Sequence, residues 1–490
     1  MKYLLGIDFG GGASKATLLS ESGAVCAESM VEYPTLYPQN GWAEQKPDDW
    51  YRAVCENVKG VLRQSGVRPQ EILALALDAA THTAVLADEH FRVLRPAIYW
   101  TDTRSVIQAE ALKKITFIAE QTLHQPDTIW TLPQLLWVRD NEPEVWSKTK
   151  KIMFAKDYVR HMLTGDYVTD YIEAEGSMLF DYGKMQWSEE LCALAGIDKG
   201  ILPEIVKPTD IVGEVSRKAA AETGLCEGMP VVCGTTDTVM EVFASGGVKR
   251  GNMTVKLATA GRICVVTEQV YPNRHLINYS HTVDGLWYPG TATKSCAASY
   301  RWYRDTFGGD FRELDKEAER LAPGADGLLF HPYLNGELTP YADPMLCGSF
   351  TGIRAGHTKA HFSRAVMEGI ALSLLDCKTA LEEIGIPHDE QASIIGGGGK
   401  SPLWQQITAD VLGITLTQKK HSDSSFGTAM LAGVAAGVFD SFETAASVCN
   451  EVVSATKPNM ENHEKYTEIF KIYKKVHDAL APLYDMEWVR

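Results

Sequence analysis

The stretch Tyr3-Leu4-Leu5-Gly6-Ile7-Asp8-Phe9-Gly10-Gly11-Gly12 opens the chain and decides how it folds. Tyr3 to Phe9 are strand-like, the three glycines form a tight turn, and the β-leaning run 15–19 follows them. The glycine turn therefore joins two strands of a hairpin. This excludes the dinucleotide fingerprint, because that motif opens a helix and needs glycine where Lys15 stands.

A second hairpin of the same kind lies in the middle of the chain. The strand-like run 253–257 leads into Ala258-Thr259-Ala260-Gly261, and another strand-like run, 262–267, follows this turn. The two hairpins suggest an internally duplicated architecture.

Strands and long helices alternate along the rest of the chain. The patterns predict helices over 49–65, 103–120, 239–244 and 361–384, and strands over 24–33, 73–77, 230–234 and 392–395. Such alternation is typical of an α/β fold. The glycine-rich segment 246–251 is the best boundary, so we expect an N-terminal domain, 1–247, and a C-terminal domain, 248–490.

Composition limits the classes of partner. The 490 residues carry a net charge of −16, which disfavours nucleic acid and membrane surfaces as partners. The longest apolar stretch, around 429–439, is shorter than the ~20 residues of a membrane span. Asp8 interrupts the only signal-like start, and the ten cysteines form no C-x-x-C pair. We therefore expect a cytoplasmic protein with reduced thiols.

Three glycine-rich turns are candidate phosphate sites, at 10–15, 258–261 and 396–401. The last of them misses the P-loop pattern, because Ile394 stands where its first glycine belongs. Tight turns without Cβ atoms let backbone N–H groups approach an anion closely. Asp8 would repel phosphate oxygens, so it fits either a ligand of Mg²⁺ or its waters, or a side chain that stabilises the turn.

Other polar side chains follow predicted strands. Asp237 lies near the start of a helix, where local sequence favours an N-cap and a general base is the alternative. Asp102, next to Trp100, is a cap, a partner of Arg104 or an acceptor for sugar hydroxyls. His82 follows a buried strand, and a lone histidine in such a place is more often structural.

These segments together resemble the FGGY carbohydrate kinases, and within them the xylulokinase-like ketopentose kinases, over essentially the whole chain. The matching segments are G-I-D-F-G at 6–10, G-W-A-E-Q at 41–45, R-P-A-I-Y-W-T-D-T-R at 95–104, the long signature at 348–368 and G-G-G-G-K-S-P-L-W at 396–404.

The resemblance implies two actin-like (ribonuclease-H-type) domains with a central interdomain cleft. The N-terminal domain would hold the sugar, the first phosphate turn and the catalytic base Asp237. The C-terminal domain would bind ATP, with the last helices packing back on the N-terminal domain. The resemblance assigns Asp8 to Mg²⁺, Thr81, His82, Trp100, Asp102 and Asp237 to the sugar, and Gly10, Gly11, Gly12, Ser14, Lys15, Thr259, Gly261, Gly397, Gly398 and Gly427 to ATP.

The expected reaction is the ATP-dependent phosphorylation of D-xylulose to D-xylulose 5-phosphate. Ala80 and Thr81 depart from the Q-M-H string usual in xylulokinases, which leaves L-xylulose, L-ribulose, gluconate or another polyol open as the substrate. Two other classes stay open: a non-catalytic sugar-sensing protein on the same fold, and an actin-fold ATPase with a protein client. The intact Asp237 argues against the first, and the segment 100–102 against the second. We expect a homodimer.

Overall fold

The computed structural model describes residues 1–484. Its strands are β1 Tyr3–Phe9, β2 Ala13–Ser20, β3 Val25–Glu32, β4 Glu44–Gln45, β5 Ile72–Ala79, β6 Ala84–Ala87, β7 Ala97–Ile98, β8 Lys151–Phe154, β9 Val168–Asp170, β10 Phe180–Asp181, β11 Gln186–Trp187, β12 Glu204–Val206, β13 Ile211–Glu214, β14 Pro230–Val232, β15 Thr235–Thr236, β16 Met253–Leu257, β17 Gly261–Val265, β18 Gly290–Ala292, β19 Leu329–His331, β20 Ser349–Thr351, β21 Gln391–Ile395, β22 Thr415–Lys419 and β23 Val452–Thr456. Its α-helices are α1 Pro47–Ser65, α2 Val106–Leu112, α3 Thr116–Thr122, α4 Thr131–Asn141, α5 Pro143–Lys148, α6 Ala155–Thr164, α7 Tyr171–Gly176, α8 Glu189–Ala195, α9 Arg217–Thr223, α10 Asp237–Ala244, α11 Ala297–Phe307, α12 Phe311–Ala318, α13 Lys359–Glu383, α14 Pro402–Leu412, α15 Ser424–Ala435, α16 Phe442–Cys449 and α17 Met460–Tyr484.

The chain forms two compact units. The first contains Met1–Val248, Tyr279–Gly285 and His421–Asn450, and the second contains Lys249–Asn278, Leu286–Lys420 and the chain from Glu451 onward. The boundary expected at 247/248 falls one residue before the first change of unit. Helices α15 and α16 belong to the first unit, whereas the last helix, α17, belongs to the second.

The first unit is built on a sheet with the strand order β13-β14-β5-β1-β2-β3. Strand β1 pairs antiparallel with β2 and parallel with β5, and the short strand β15 also pairs with β5. Strand β14 runs parallel to β5, and the edge strand β13 runs antiparallel to β14. The parallel strands β1 and β5 are almost fully buried, as expected for strands that are covered on both faces.

The second unit repeats this sheet. Its order is β23-β22-β21-β16-β17-β18, with β16 antiparallel to β17 and parallel to β21. Strand β22 is parallel to β21, and the edge strand β23 is antiparallel to β22. Strand order and directions thus match between the two units, which confirms both the α/β class and the duplication expected from the two hairpins.

One long helix of the sequence analysis is interrupted. Instead of a single helix over 103–120, the structure has α2 and α3. Ile115, between them, has an extended backbone with φ −107° and ψ 100°, which breaks the helical hydrogen-bond ladder. The two other long helices are confirmed as α1 and α13, with ends that differ by one or two residues.

Helix α15 packs directly on the central strands of the first unit. A Cβ atom at Gly6 of β1 would lie 2.2 Å from the backbone N of Ala429, so only glycine permits this approach. The helix is also tied to the sheet by a 2.7 Å hydrogen bond between the hydroxyls of Thr17 and Ser425. Within residues 1–484, no helix combines the length and the apolar composition that a membrane crossing requires.

Candidate active site

Three aspartates meet at one edge of the first sheet. Asp8 near the end of β1 is the register partner of Asp78 in β5, and Asp78 also pairs with Thr235 of β15. Asp237 is the next residue but one after Thr235 and begins α10. Asp78 is fully buried, whereas Asp8 and Asp237 are half-buried. The pairing thus places Asp78 between Asp8 and the start of α10, where Asp237 is near enough to contribute to the raised pKa of Asp8.

The electrostatics of this edge favour a cation. Burial, together with the nearby carboxylates of Asp237, Glu241 and Asp423, raises the pKa of Asp8 above its usual range, although a hydrogen bond with Asp78 opposes the shift. Several carboxylates this close together suit Mg²⁺, which usually takes one or two protein carboxylates and fills its other positions with water and phosphate oxygens. Within residues 1–484, no three histidine, cysteine or acidic side chains form a metal site alone.

Asp237 is not a helix cap. The N-cap of α10 is Thr236, and Asp237 is the first helical residue, so the capping role favoured by local sequence is wrong. One carboxylate oxygen, Oδ1, accepts a 3.1 Å hydrogen bond from the hydroxyl of Thr238. A half-buried carboxylate at a helix start is suited to accept a proton from a ligand hydroxyl.

The first glycine turn presents its amides outward. The carbonyl of Gly10 accepts a 2.6 Å hydrogen bond from the hydroxyl of Tyr33, and the carbonyl of Gly11 accepts bonds from Thr35 (2.8 Å) and Gln45 (2.9 Å). Because C=O and N–H point in opposite directions across a trans peptide, the N–H groups that follow these carbonyls face away from those partners. This arrangement fits a phosphate.

Two side chains of the same turn are already engaged. The hydroxyl of Ser14 donates a 2.9 Å hydrogen bond to the carbonyl of Asp8. The ammonium of Lys15 forms ion pairs with Glu28 at 2.7 Å and Asp423 at 3.1 Å. Their contribution to the turn is therefore structural in this conformation, and contact with ATP stays a prediction for both.

The turn of the second unit has the same design. The carbonyls of Ala258 and Thr259 accept hydrogen bonds from Ala297 N (2.8 Å) and Cys296 N (3.0 Å) at the start of α11. The N–H groups of Thr259 and residue 260 therefore point the other way. The N–H of Gly261 is bound to the hydroxyl of Thr293 at 2.9 Å, so this glycine closes the turn.

Gly397 and Gly398 lie next to this turn, in the second unit. A Cβ at the preceding Gly396 would be 2.5 Å from the carbonyl of Leu257, which places the two turns side by side. A Cβ at Gly398 would press on the Trp404 ring at 2.7 Å, whereas one at Gly397 would meet nothing within 4 Å. Gly397 therefore offers an open approach to a ligand, and Gly398 is required by packing.

Gly427 is buried in α15 of the first unit. A Cβ there would lie 2.2 Å from the carbonyl of Met240 in α10. Close packing of two helices therefore accounts for this glycine, and its contact with adenosine stays a prediction.

The predicted sugar loop follows β5. His82 is buried, its ring centroid lies 4.9 Å from that of Trp130, and burial lowers the pKa of His82 to about 3. The imidazole is therefore neutral at physiological pH and suited to hydrogen bonds with hydroxyls. Thr81, beside it, is half-buried.

The carboxylate of Asp102 is hydrogen-bonded within the protein. It accepts hydrogen bonds from the backbone N–H of Ala43 (2.6 Å) and from the guanidinium of Arg104, which stacks 3.8 Å above Trp42. Only 1% of Asp102 is exposed. The structure thus shows the pairing with Arg104, while sugar contact stays a prediction for Asp102 and for its exposed neighbour Trp100.

Sequence reasoning missed two buried acids in α7. Glu173 accepts a hydrogen bond from the backbone N–H of His82, and Glu175 accepts from the N–H (2.8 Å) and hydroxyl (2.5 Å) of Ser280. The spacing Asp170-x-x-Glu173 is typical of a helix start, which identifies the turn but not the partner of Glu173. Burial raises the pKa of Glu175 to about 8.

Comparisons with known proteins identify the family. The N-terminal domain of the FGGY family of carbohydrate kinases matches residues 3–244, and the C-terminal domain of that family matches residues 231–436. A xylulose kinase of Lactococcus lactis subsp. lactis (strain IL1403) is 33% identical over 488 residues, which cover 97% of each chain. A gluconokinase of Bacillus subtilis (strain 168) is 29% identical over 501 residues, covering 98% of this chain and 97% of its own.

A solved structure extends the likeness to the fold. The xylulose kinase from Rhodospirillum rubrum matches with a TM-score of 0.91 and 26% identity, over 99% of this chain and 100% of that one. The predicted fold of two actin-like α/β domains is confirmed by this match, and so is the predicted family. The chain belongs to the FGGY family of carbohydrate kinases and, as a member, is an ATP-dependent kinase of a small-molecule sugar.

Proposed function

We propose that this kinase phosphorylates D-xylulose to D-xylulose 5-phosphate, with Asp237 as the general base. The observation that supports the mechanism is the half-buried carboxylate of Asp237 at the same sheet edge as Asp8. The choice of sugar is supported by the relatives, because six that are named xylulose kinase are 29% to 33% identical, whereas two that are named gluconokinase are 29% identical.

The carboxylate of Asp237 accepts the proton of the reacting sugar hydroxyl as its oxygen attacks the γ-phosphorus. The new O–P bond forms while the bond to the β,γ-bridging oxygen breaks, and ADP leaves. ATP supplies the phosphoryl group, and Mg²⁺ held by Asp8, directly or through water, would neutralise the charge that develops during transfer. General base assistance of this kind contributes about 10²–10⁴-fold to the rate.

The nucleotide is held mainly by backbone amides. In the first unit, the N–H groups after Gly10 and Gly11 turn away from the partners of the preceding carbonyls, which suits each of them to donate to a phosphate oxygen. In the second unit, the N–H groups after Ala258 and Thr259 have the same design. Asp8 holds Mg²⁺ or its waters, and the open side of Gly397 faces the adenosine. Ser14, Lys15, Gly12, Gly261 and Gly398 shape these turns.

The sugar is held in the first unit by Thr81 and the neutral imidazole of His82. Uncharged groups suit an uncharged sugar, because they exchange hydrogen bonds with hydroxyls. The neutral imidazole of His82 offers no positive charge to the carboxylate of gluconate. This disfavours the sugar acid.

The test is ADP release with D-xylulose, L-xylulose, L-ribulose and gluconate, each with Mg²⁺ and with excess EDTA. We expect D-xylulose to give the highest kcat/KM and EDTA to abolish turnover. A higher kcat/KM for gluconate would reject the sugar assignment. Absence of sugar-stimulated ADP release with every compound would instead favour the sugar-sensing alternative.

A further inference from the structure

His82 has a backbone conformation that a histidine seldom adopts. Its φ is 55°, in the left-handed region that normally requires glycine. Strained backbone of this kind persists only where the surrounding structure enforces it, and such residues cluster at ligand sites. The question is therefore which groups hold His82 in this conformation.

Two side chains from distant parts of the first unit grip the His82 backbone. The carboxyl group of Glu173 accepts a hydrogen bond from the His82 N–H. The hydroxyl of Thr131 donates a 2.6 Å hydrogen bond to the His82 carbonyl. Both partners are buried, at 1% and 0% exposure, so water does not compete for these bonds.

Each grip is itself anchored. Glu173 lies in α7, whose N-cap Asp170 accepts from the backbone N–H groups of residues 172 and 173. Asp170 is fixed in turn by the hydroxyl of Thr235 at 2.8 Å and by the buried ammonium of Lys156 at 2.9 Å. Thr131 is the first residue of α4. The two hydrogen bonds therefore connect His82 to rigid elements rather than to loops.

The same contacts fix the imidazole. The ring lies against Trp130, the residue just before Thr131, and Trp130 stacks on His124 with centroids 4.3 Å apart. On the other side, a Cβ at Gly176 would lie 2.6 Å from Cδ2 of His82, so α7 reaches the ring edge. Loss of either backbone hydrogen bond would let φ relax to a negative value and turn the ring away.

We propose that Glu173 and Thr131 are positioning residues for sugar recognition, which act by holding the His82 backbone in its left-handed conformation. This inference rests on the proposed sugar-binding role of His82. Glu173 and Thr131 act only through His82, which binds the sugar. Removing either hydrogen bond should therefore weaken sugar binding and leave nucleotide binding unchanged.

The test uses Thr131→Val, which keeps the shape and removes the hydroxyl, with Thr131→Ser to restore it. Thr169→Val is the matched control, because Thr169 of β9 is fully buried in the same unit and its hydroxyl has no hydrogen-bond partner. We expect Thr131→Val to raise the KM for D-xylulose about tenfold, with the KM for ATP unchanged and kcat within threefold. Thr131→Ser and Thr169→Val should stay within twofold of the parent enzyme.

Variants of Glu173 provide a second test that is independent of the Thr131 variants. Burial raises the pKa of Glu173 well above its usual range, so the neutral amide of Glu173→Gln preserves the acceptor, whereas Glu173→Leu removes it. We expect Glu173→Leu to reproduce the tenfold rise in sugar KM and Glu173→Gln to remain within threefold. If Glu173→Leu does not fold, the comparison of Thr131→Val with Thr169→Val still tests the inference.

A Thr131→Val enzyme with the same sugar KM as Thr169→Val would overturn the inference and leave the proposed function standing. If the parent enzyme phosphorylates no sugar, the proposed function fails, and a crystal structure of Thr131→Val then decides the inference. A relaxed, negative φ at residue 82 would support it, and a retained positive φ would overturn it.

Discussion

The two units of the molecule have sheets of the same topology, but the side chains at the ends of the corresponding strands differ. Where β1 and β5 of the first unit pair Asp8 with Asp78, the corresponding strands β16 and β21 of the second unit pair Lys256 with Ile395 and carry no carboxylate there. Both units nevertheless have a hairpin turn whose carbonyls accept hydrogen bonds from the protein, so that the N–H groups that follow them point the other way. Anion binding by backbone amides thus follows from the shared fold, whereas proton transfer and metal binding need side chains that only the first unit supplies.

The largest expected effect, on kcat, comes from replacing the carboxylate of Asp237, which the first unit supplies. We expect Asp237→Asn to lower kcat by about 10²–10⁴-fold, because the amide does not accept the sugar proton. The fold should survive, since Asp237 caps no helix. The measurement is steady-state ADP release, with Asp49→Asn in the first turn of α1 as the control. Equal activity in the two variants would remove Asp237 as the base.

The second prediction concerns packing glycines in both units. Gly427 and Gly369 each lie in a buried helix, and a Cβ would come within 2.2 Å of the Met240 carbonyl and 2.1 Å of the Phe330 carbonyl, respectively. Because backbone must move to make room, we expect Gly427→Ala and Gly369→Ala each to cost about 3 kcal/mol of stability. Calorimetry would show a lower Tm. Unchanged melting would contradict the close contact, and a raised KM for ATP in folded Gly427→Ala would add a nucleotide role.

The third compares one buried glutamate from each unit. Burial raises the pKa of Glu175 to about 8 and that of Glu337 to about 7. Between pH 4.5 and these values the folded state keeps a proton that the unfolded chain has released, so stability falls as pH rises through that window, by up to about 1.4 kcal/mol per pH unit.

Glu175→Gln and Glu337→Gln should remove this dependence, and Glu175→Gln over the wider range. The measurement is urea unfolding of each variant and the parent enzyme at several values between pH 5 and pH 8. Parallel profiles for parent and Glu175→Gln would show that Glu175 ionises normally in the fold.

The fourth isolates the nucleotide side of the second unit. A Cβ at Gly397 meets no protein atom within 4 Å, so Gly397→Ala should fold normally. We expect the KM for ATP to rise about tenfold, equivalent to about 1.4 kcal/mol, with the sugar KM unchanged. Gly356→Ala, equally open and in the same unit, is the control. Identical ATP constants for both variants would exclude Gly397 from the nucleotide site.

The smallest effect concerns the attachment of segment 279–285 to the first unit. Lys207 pairs with Asp284 at 2.6 Å, but both side chains are more than half exposed. We expect Lys207→Met to change the free energy of unfolding by less than about 0.5 kcal/mol. Glu175→Ala, which removes the buried anchor of Ser280, should cost more. A larger loss for Lys207→Met, measured by urea unfolding, would reverse that ranking.

Local features were predictable from the sequence, and long-range ones were not. Both hairpins, α1, α13 and the position of Asp8 follow from periodicity and turn chemistry within a few residues. The roles of Glu173 and Glu175 were not predicted, because their hydrogen-bond partners lie 91 and 105 residues away along the chain. Asp102 offered three readings, and only the tertiary contacts with Ala43 and Arg104 identify the pairing.

The contact between Gly6 and α15 also bears on how the protein is made. Strand β1 leaves the ribosome long before α15, the helix that covers it, which is formed by residues 424–435. Throughout most of translation the nascent first unit therefore exposes the apolar face that includes Leu4, against which Gly433 later packs. A fragment ending at residue 248 should aggregate or recruit chaperones, and adding 421–450 as a separate peptide should rescue its solubility.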